Sequence, residues 1–400
     1  MKKFRFKGSY LSYVLIYFFT YFAMSSFISI LSVYLTNIGK SGTEMSFIVS
    51  ASGIFSFAAL PVVGYLCDRT GKSRLISGIL LIAMGVMAIV FSMCREVWAL
   101  FLLDGLLLAC MNTTMPISER LAAATKFRYG VLRVWGTIGF AVGAQAAGVA
   151  IQYFPPIVLF LLIFVSSLIA AIGYLGAEDP IASKNDGEES PEPERPEPEH
   201  SEKKKAPLSS FLKNGQFLLY LLIAFLFYAA SGVNFNYAAY LLDSLGVDTG
   251  AVGTVIAVST LVELPMILFS HKFMDRFSGK ALLLLSCGMN VLQFLCYGLT
   301  RSVWAVIVMM VLVKALAATL FMMLILKIVR NLVEPALTTT GISLANSATN
   351  LGVIIMQNIG GRILDSAGIQ VLYLVLAGLT AVALLLTLFL RVENKESVFS

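Results

Sequence analysis

The chain has 400 residues, 58% hydrophobic and only 13% charged, with a formal net charge of +6 and a mean hydropathy of +0.84. A soluble domain carries about 25% charged residues, so a water-soluble globule is excluded. Apolar runs of roughly 20 residues recur and suit bilayer-crossing helices, whereas the alternating ten-residue segments of a membrane β-barrel are not seen.

Lys2, Lys3, Arg5 and Lys7 open the chain. The apolar stretch behind them is too long for a signal peptide and reads as a first spanning helix. Predicted spans are 10–36, 43–66, 75–94, 97–119, 129–152, 157–176, then 216–242, 249–271, 280–299, 302–329, 337–363 and 369–390. Placing the loops alternately puts 23 of the 29 Lys and Arg on one face, leaving Lys40, Arg95, Arg301 and Arg362 on the other and Arg133 and Lys314 within spans. The positive-inside rule then makes both termini cytoplasmic, in a cell (plasma or inner) membrane. The same rule accounts for the basic balance without a nucleic-acid partner. Cys67, Cys94, Cys110, Cys287 and Cys296 have no ligand-like spacing, so no disulfide, metal site or cofactor is indicated.

Residues 177–210 separate six spans from six. They hold Pro180, Pro191, Pro193, Pro196, Pro198 and Pro207, a run of acids and Lys203–Lys205. Such a segment buries little apolar area and reads as an extended cytoplasmic linker, either a spacer or a docking segment. The expected organisation is a six-helix half over 1–176, the linker, and a second half over 211–400. Asp68-Arg69 and Asp275-Arg276 lie 207 residues apart, and spans one and seven start 206 apart. One displacement for two features argues for a parallel repeat. The expected fold is an all-α polytopic membrane protein of about twelve transmembrane helices, two six-helix pseudo-repeats around a central cavity.

Gly64, Asp68, Arg69, Gly71, Lys72 and Arg74 form a G-x-x-x-D-R-x-G-K-x-R loop after the second span. With six plus six spans and a central linker, this pattern resembles the major facilitator superfamily, whose usual loop has two arginines where this chain has Lys72 and Ser73. The resemblance implies that the loop is a conformational latch. Tyr129-Gly130, Arg133, Trp135-Gly136, Gly139 and Phe140, with Met115-Pro116 and Glu119 upstream, resemble the branch of lactose-permease-like, nucleoside–proton and aromatic-acid permeases. In the lactose-permease-like members of that branch the matching arginine and a nearby carboxylate contact sugar, which implies substrate contact for Arg133 and Glu119.

Read from the residues alone, Asp104, Asn112, Met115 and Glu119 share one face of the fourth span. Glu119 and Arg133 lie at similar depth, either as a fork gripping hydroxyls or as a structural ion pair. Trp135 is a stacking platform or an interfacial anchor, and Gly136, Gly139 and Gly143 mark close helix packing. Glu263 sits near the midplane of the eighth span beside Pro265, and Lys314 lies mid-span in the tenth. The pair is a proton-coupling site or a salt bridge that holds the bundle. His200 and His271 are misplaced for a midplane relay, leaving Asp104, Glu119 and Glu263 as proton carriers; the lactose-permease-like pattern has a histidine near Lys314. Tyr17 and Tyr21 on the first span, and Asn234 and Asn236 on the seventh, suit a polyhydroxylated or heteroaromatic solute. In the superfamily, spans one, four, seven and ten line the cavity.

The resemblance implies a monomeric secondary transporter, with a small-molecule substrate and protons as partners, taking up a sugar, oligosaccharide or nucleoside by alternating access. Proton-driven efflux, carboxylate transport and a non-transporting sensor are the alternatives. An enzyme is not expected, since no nucleophile–base or metal constellation and no P-loop is present.

Overall fold

Apolar runs become the helices of the computed structural model, which describes residues 7–123, 125, 127, 129–177, 214–268, 274, 276–333 and 338–392. The N-terminal half contains α1 (Tyr10–Ile28), α2 (Leu31–Asn37), α3 (Gly42–Thr70), α4 (Ser73–Met93), α5 (Val97–Ala123), α6 (Tyr129–Tyr153) and α7 (Ile157–Gly176). The C-terminal half contains α8 (Gly215–Ser244), α9 (Thr249–Leu268), α10 (Gly279–Leu299), α11 (Val303–Val308), a π-helical segment (Met309–Lys314), α12 (Ala315–Leu332), α13 (Thr338–Ala367) and α14 (Ile369–Phe389). No strand occurs among the described residues. The expected linker lies outside them except for Ala177.

Local chemistry sets the helix ends. Ser41 and Glu44 form a reciprocal capping box at the start of α3, which satisfies two otherwise orphaned backbone donors. Gly71 closes α3 at φ 62° and donates its N–H to the Cys67 carbonyl. That left-handed conformation explains a glycine in the loop pattern without reference to a latch.

Eleven described helices are long and apolar enough to cross a bilayer. The twelfth, α13, has 30 residues but carries many Thr, Ser, Asn and Gln side chains. Several predicted spans are modified. The first bends between α1 and α2, where the Ser25 and Ser29 hydroxyls are 3.0 Å apart. The tenth is interrupted by the π segment, and the second, fourth and eleventh run on to Thr70, Ala123 and Ala367.

Both halves pack alike. In the first, α1 lies on α6 and α7, and α5 lies between α3 and α4; in the second, α8 lies on α13 and α14, and α12 contacts α9 and α10. Cations repeat too. Arg120 Nη2 donates to Ser73 Oγ, while Lys327, 207 positions on, donates from Nζ to the carbonyls of Met274 and Phe277. Arg74 reaches the Ala177 carbonyl at 2.7 Å and Lys280 the Leu388 carbonyl at 2.6 Å. Loop cations that charge bias alone explains therefore also tie each basic loop to its bundle.

The halves meet along α3–α13 and α6–α9, and their contacts cluster away from the basic loops. Asp365 accepts the N–H groups of Gly42 and Thr43 at 2.6 and 2.7 Å, and Tyr237 donates to the Gly42 carbonyl at 3.1 Å. On the second seam Gln152 Oε1 accepts the Gly250 N–H at 2.8 Å. Glycines allow this approach: a Cβ on Gly253 would lie 2.6 Å from the Ala144 carbonyl, and one on Gly361 would collide with Ser46 and Gly42. Among the described residues, these hydrogen bonds and glycine contacts between the halves gather at the end of the bundle away from the basic loops.

Candidate substrate and coupling site

Arg133 is placed by glycines. A side chain on Gly139 or Gly143 would collide with the carbonyl of Phe18 or Phe22, so α6 lies directly against the α1 backbone. That approach puts the Arg133 guanidinium over the Tyr21 ring, 4.7 Å from its centroid. Tyr21 stacks on Tyr17, with ring centroids 6.3 Å apart. Tyr17 is fully buried and donates to the Ser118 carbonyl at 3.5 Å. Arg133 Nη1 is buried and has no hydrogen-bond partner. A cation held over an aromatic face keeps its N–H groups directional without using them.

The expected Glu119–Arg133 pair is not formed. Glu119 is exposed on α5 and Arg133 is engaged by tyrosine. Equal depth on two helices leaves their rotation open, and rotation separates these charges. Trp135 is half-buried and donates Nε1–H to Tyr10 at 2.8 Å, anchoring α6 to α1.

Asp104 is fully buried, and neither carboxylate oxygen has a hydrogen-bond partner. Asn112, on the same helix, donates to Ser56 Oγ at 2.9 Å. Asn234 is buried and accepts from Tyr373 at 3.1 Å. Asn236 donates to Gln357 Oε1 at 3.1 Å. Each of these amides ties two helices of its own half together.

Glu263 is half-buried on α9 and faces Lys314 and Thr319. Lys314 ends the π segment, beside the Phe235 ring with its Nζ 5.8 Å from the centroid. A π turn leaves carbonyls without their usual partners, and Ser259 donates to that of Met310 at 2.9 Å. Glu263 and Lys314 thus lie within electrostatic reach of each other, on α9 and at the end of the π segment.

Of the loop residues, Arg69 and Lys72 are exposed and Arg74 is tied to α7. The side chain of Asp68, with Asp275, His200 and His271, lies outside the described residues. Sequence reasoning passed over α13, whose Asn346, Ser347 and Asn350 are exposed, and over Asp365. The available signal was a span unusually rich in Asn and Ser.

A model of the MFS_1 like family matches residues 10–393. The chain is 25% identical to the uncharacterized transporter YwbF of Bacillus subtilis (strain 168) over 387 residues, covering 95% of this chain and 93% of that one. It is 26% identical to the maltose permease of Geobacillus stearothermophilus, covering 96% and 95%. The crystal structure of the nucleoside transporter NupG superposes with a TM-score of 0.78 at 17% identity, covering 95% and 98%, and shows the shared fold.

Proposed function

Because the chain belongs to the MFS_1 like family of multi-pass membrane transporters, we propose that it takes up a small polyhydroxylated solute, foremost a disaccharide, by proton symport. Both termini and the basic loops face the cytoplasm, in keeping with the positive-inside rule. The chain works as a monomer in the cell membrane and alternates access by rocking one half on the other.

The observation that carries the reading is a carboxylate, Glu263, within electrostatic reach of the Lys314 ammonium inside a spanning bundle. Intramembrane charges are costly and are kept where they line a pathway or move ions. A proton arriving on a Glu263 oxygen neutralises the carboxylate and removes its attraction for the Lys314 ammonium. The favoured packing of α9 against the π segment changes with it, and binding energy becomes a shift between two arrangements. In the other half, Arg133 offers unspent N–H donors to sugar hydroxyls over the Tyr21 ring. The similarity to a maltose permease supports the substrate class.

The test is uptake of labelled maltose by proteoliposomes under an imposed pH gradient. Accumulation that follows the gradient and collapses with a protonophore is expected. Maltose flux indifferent to the gradient would contradict symport, and no maltose flux would contradict the substrate.

A further inference from the structure

The repeat is recorded in matched contacts as well as in sequence. Gly139 of α6 lies against the carbonyl of Phe18, and Gly352 of α13 against that of Phe225, which is 207 positions after Phe18. Gly148 meets Gly253 across one seam, and Gly361 meets Gly42 and Ser46 across the other. Gln152 and Asp365 each cap a helix of the opposite half. All three matches align α6 with α13 at one shift, which places Asn346 where α6 has Arg133: each lies six residues before its packed glycine.

The α13 face carrying Asn346 is settled by packing. Ile354 and Gly361 of α13 touch Gly53 and Gly42 of α3 where the seam is closed. Stepping back from Ile354 by one and two turns reaches Asn350 and then Asn346–Ser347, on the same side of the helix within about 80°. The rise per residue sets Asn350 about 6 Å and Asn346 about 12 Å from that contact, toward the basic-loop end of the bundle. Both asparagines are exposed, and neither side-chain amide has a hydrogen-bond partner among the described residues. Bare amides on a spanning helix are disfavoured toward lipid and suited to water or a polar solute.

From this placement we infer that Asn346 and Asn350 form the second wall of the solute site, opposite Arg133, and hydrogen-bond the hydroxyls of a bound disaccharide. An amide presents a donor and an acceptor side by side and so matches a vicinal pair of hydroxyls. The inference rests on the proposed disaccharide reading, and the experiment separates the two.

Maltose binding to purified protein is measured by calorimetry for the wild type, Asn346→Ala, Asn350→Ala and the double variant. Alongside it, Asn346→Cys is treated with a membrane-impermeant maleimide, with and without maltose, and labelling is read at that position by peptide mapping. Each single alanine is expected to weaken binding about fivefold, the worth of one net hydrogen bond, and maltose is expected to slow the labelling. If the wild type binds maltose but both variants bind it equally well, or if position 346 resists the reagent, this inference is overturned alone. No binding by the wild type overturns the disaccharide reading and this inference together.

Discussion

The two halves share a scaffold and differ in what they place on it. At one repeated position the N-terminal half has Ser56 accepting a hydrogen bond from Asn112 at 2.9 Å. At positions 207 further on, the C-terminal half has Glu263 facing Thr319, with Lys314 added. A neutral pair in one half is thus an ionisable cluster in the other. Only the second is interrupted by a π segment, whereas α5 runs unbroken from Val97 to Ala123. The converse holds for recognition: Arg133 on Tyr21 corresponds to the uncharged Asn346. Scaffold contacts, including the Arg120 and Lys327 ties, recur in both halves. Duplication accounts for what is shared, and the differences are what the proposed division of labour rests on, with solute gripped mainly by one half and the proton handled by the other.

Variants can break that comparison. The largest effect is expected on the recognition side. Arg133→Lys keeps the charge but loses the planar fork, and charge-assisted hydrogen bonds of about 1.5–3 kcal/mol imply a loss of tenfold or more in solute affinity. Calorimetric binding checks it; unchanged affinity would make Arg133 a packing residue. The two seams offer a second comparison, since Asp365 caps with a charge and Gln152 with a neutral amide. Asp365→Ala is expected to favour parting of the closed end by about 2 kcal/mol, and Gln152→Ala by about 1 kcal/mol. Spin-label distances across α3–α13 and α6–α9 would show this, and equal shifts would remove the role assigned to charge. The smallest effect concerns the basic loops. Gly71→Ala forces a left-handed residue, costing about 1–2 kcal/mol, and Ser278→Ala loses the cap on the Ala281 N–H, costing about 1 kcal/mol. Thermal melts of both would contradict the loop geometry if Gly71→Ala were the milder change.

Much of the fold was legible because membrane spans are written in long apolar runs, and because Asp68-Arg69 and Asp275-Arg276 record the repeat. Glycine packing was legible too: Gly136, Gly139 and Gly143 lie against α1 as small residues at helical spacing require. Depth could be read, so Glu263 and Lys314 were placed near one level, and they lie within electrostatic reach of each other. Rotation about the helix axis could not, and for that reason the Glu119–Arg133 pair was expected and is absent. Contacts between Gly42 and Asp365 span 323 residues and leave no local signal. The π segment was equally hidden, since Met309–Lys314 reads as ordinary apolar helix. Asn346 and Asn350 became meaningful only when the closed seam fixed which side of α13 faces the other half.

The division of labour is tested most directly with Glu263→Gln in proteoliposomes, comparing pH-gradient-driven maltose accumulation with maltose exchange at equal pH on both sides. Glutamine keeps the shape of the side chain but cannot take up and release the proton. Accumulation should be lost while exchange persists. Accumulation at the wild-type level would contradict the assignment of coupling to the C-terminal half.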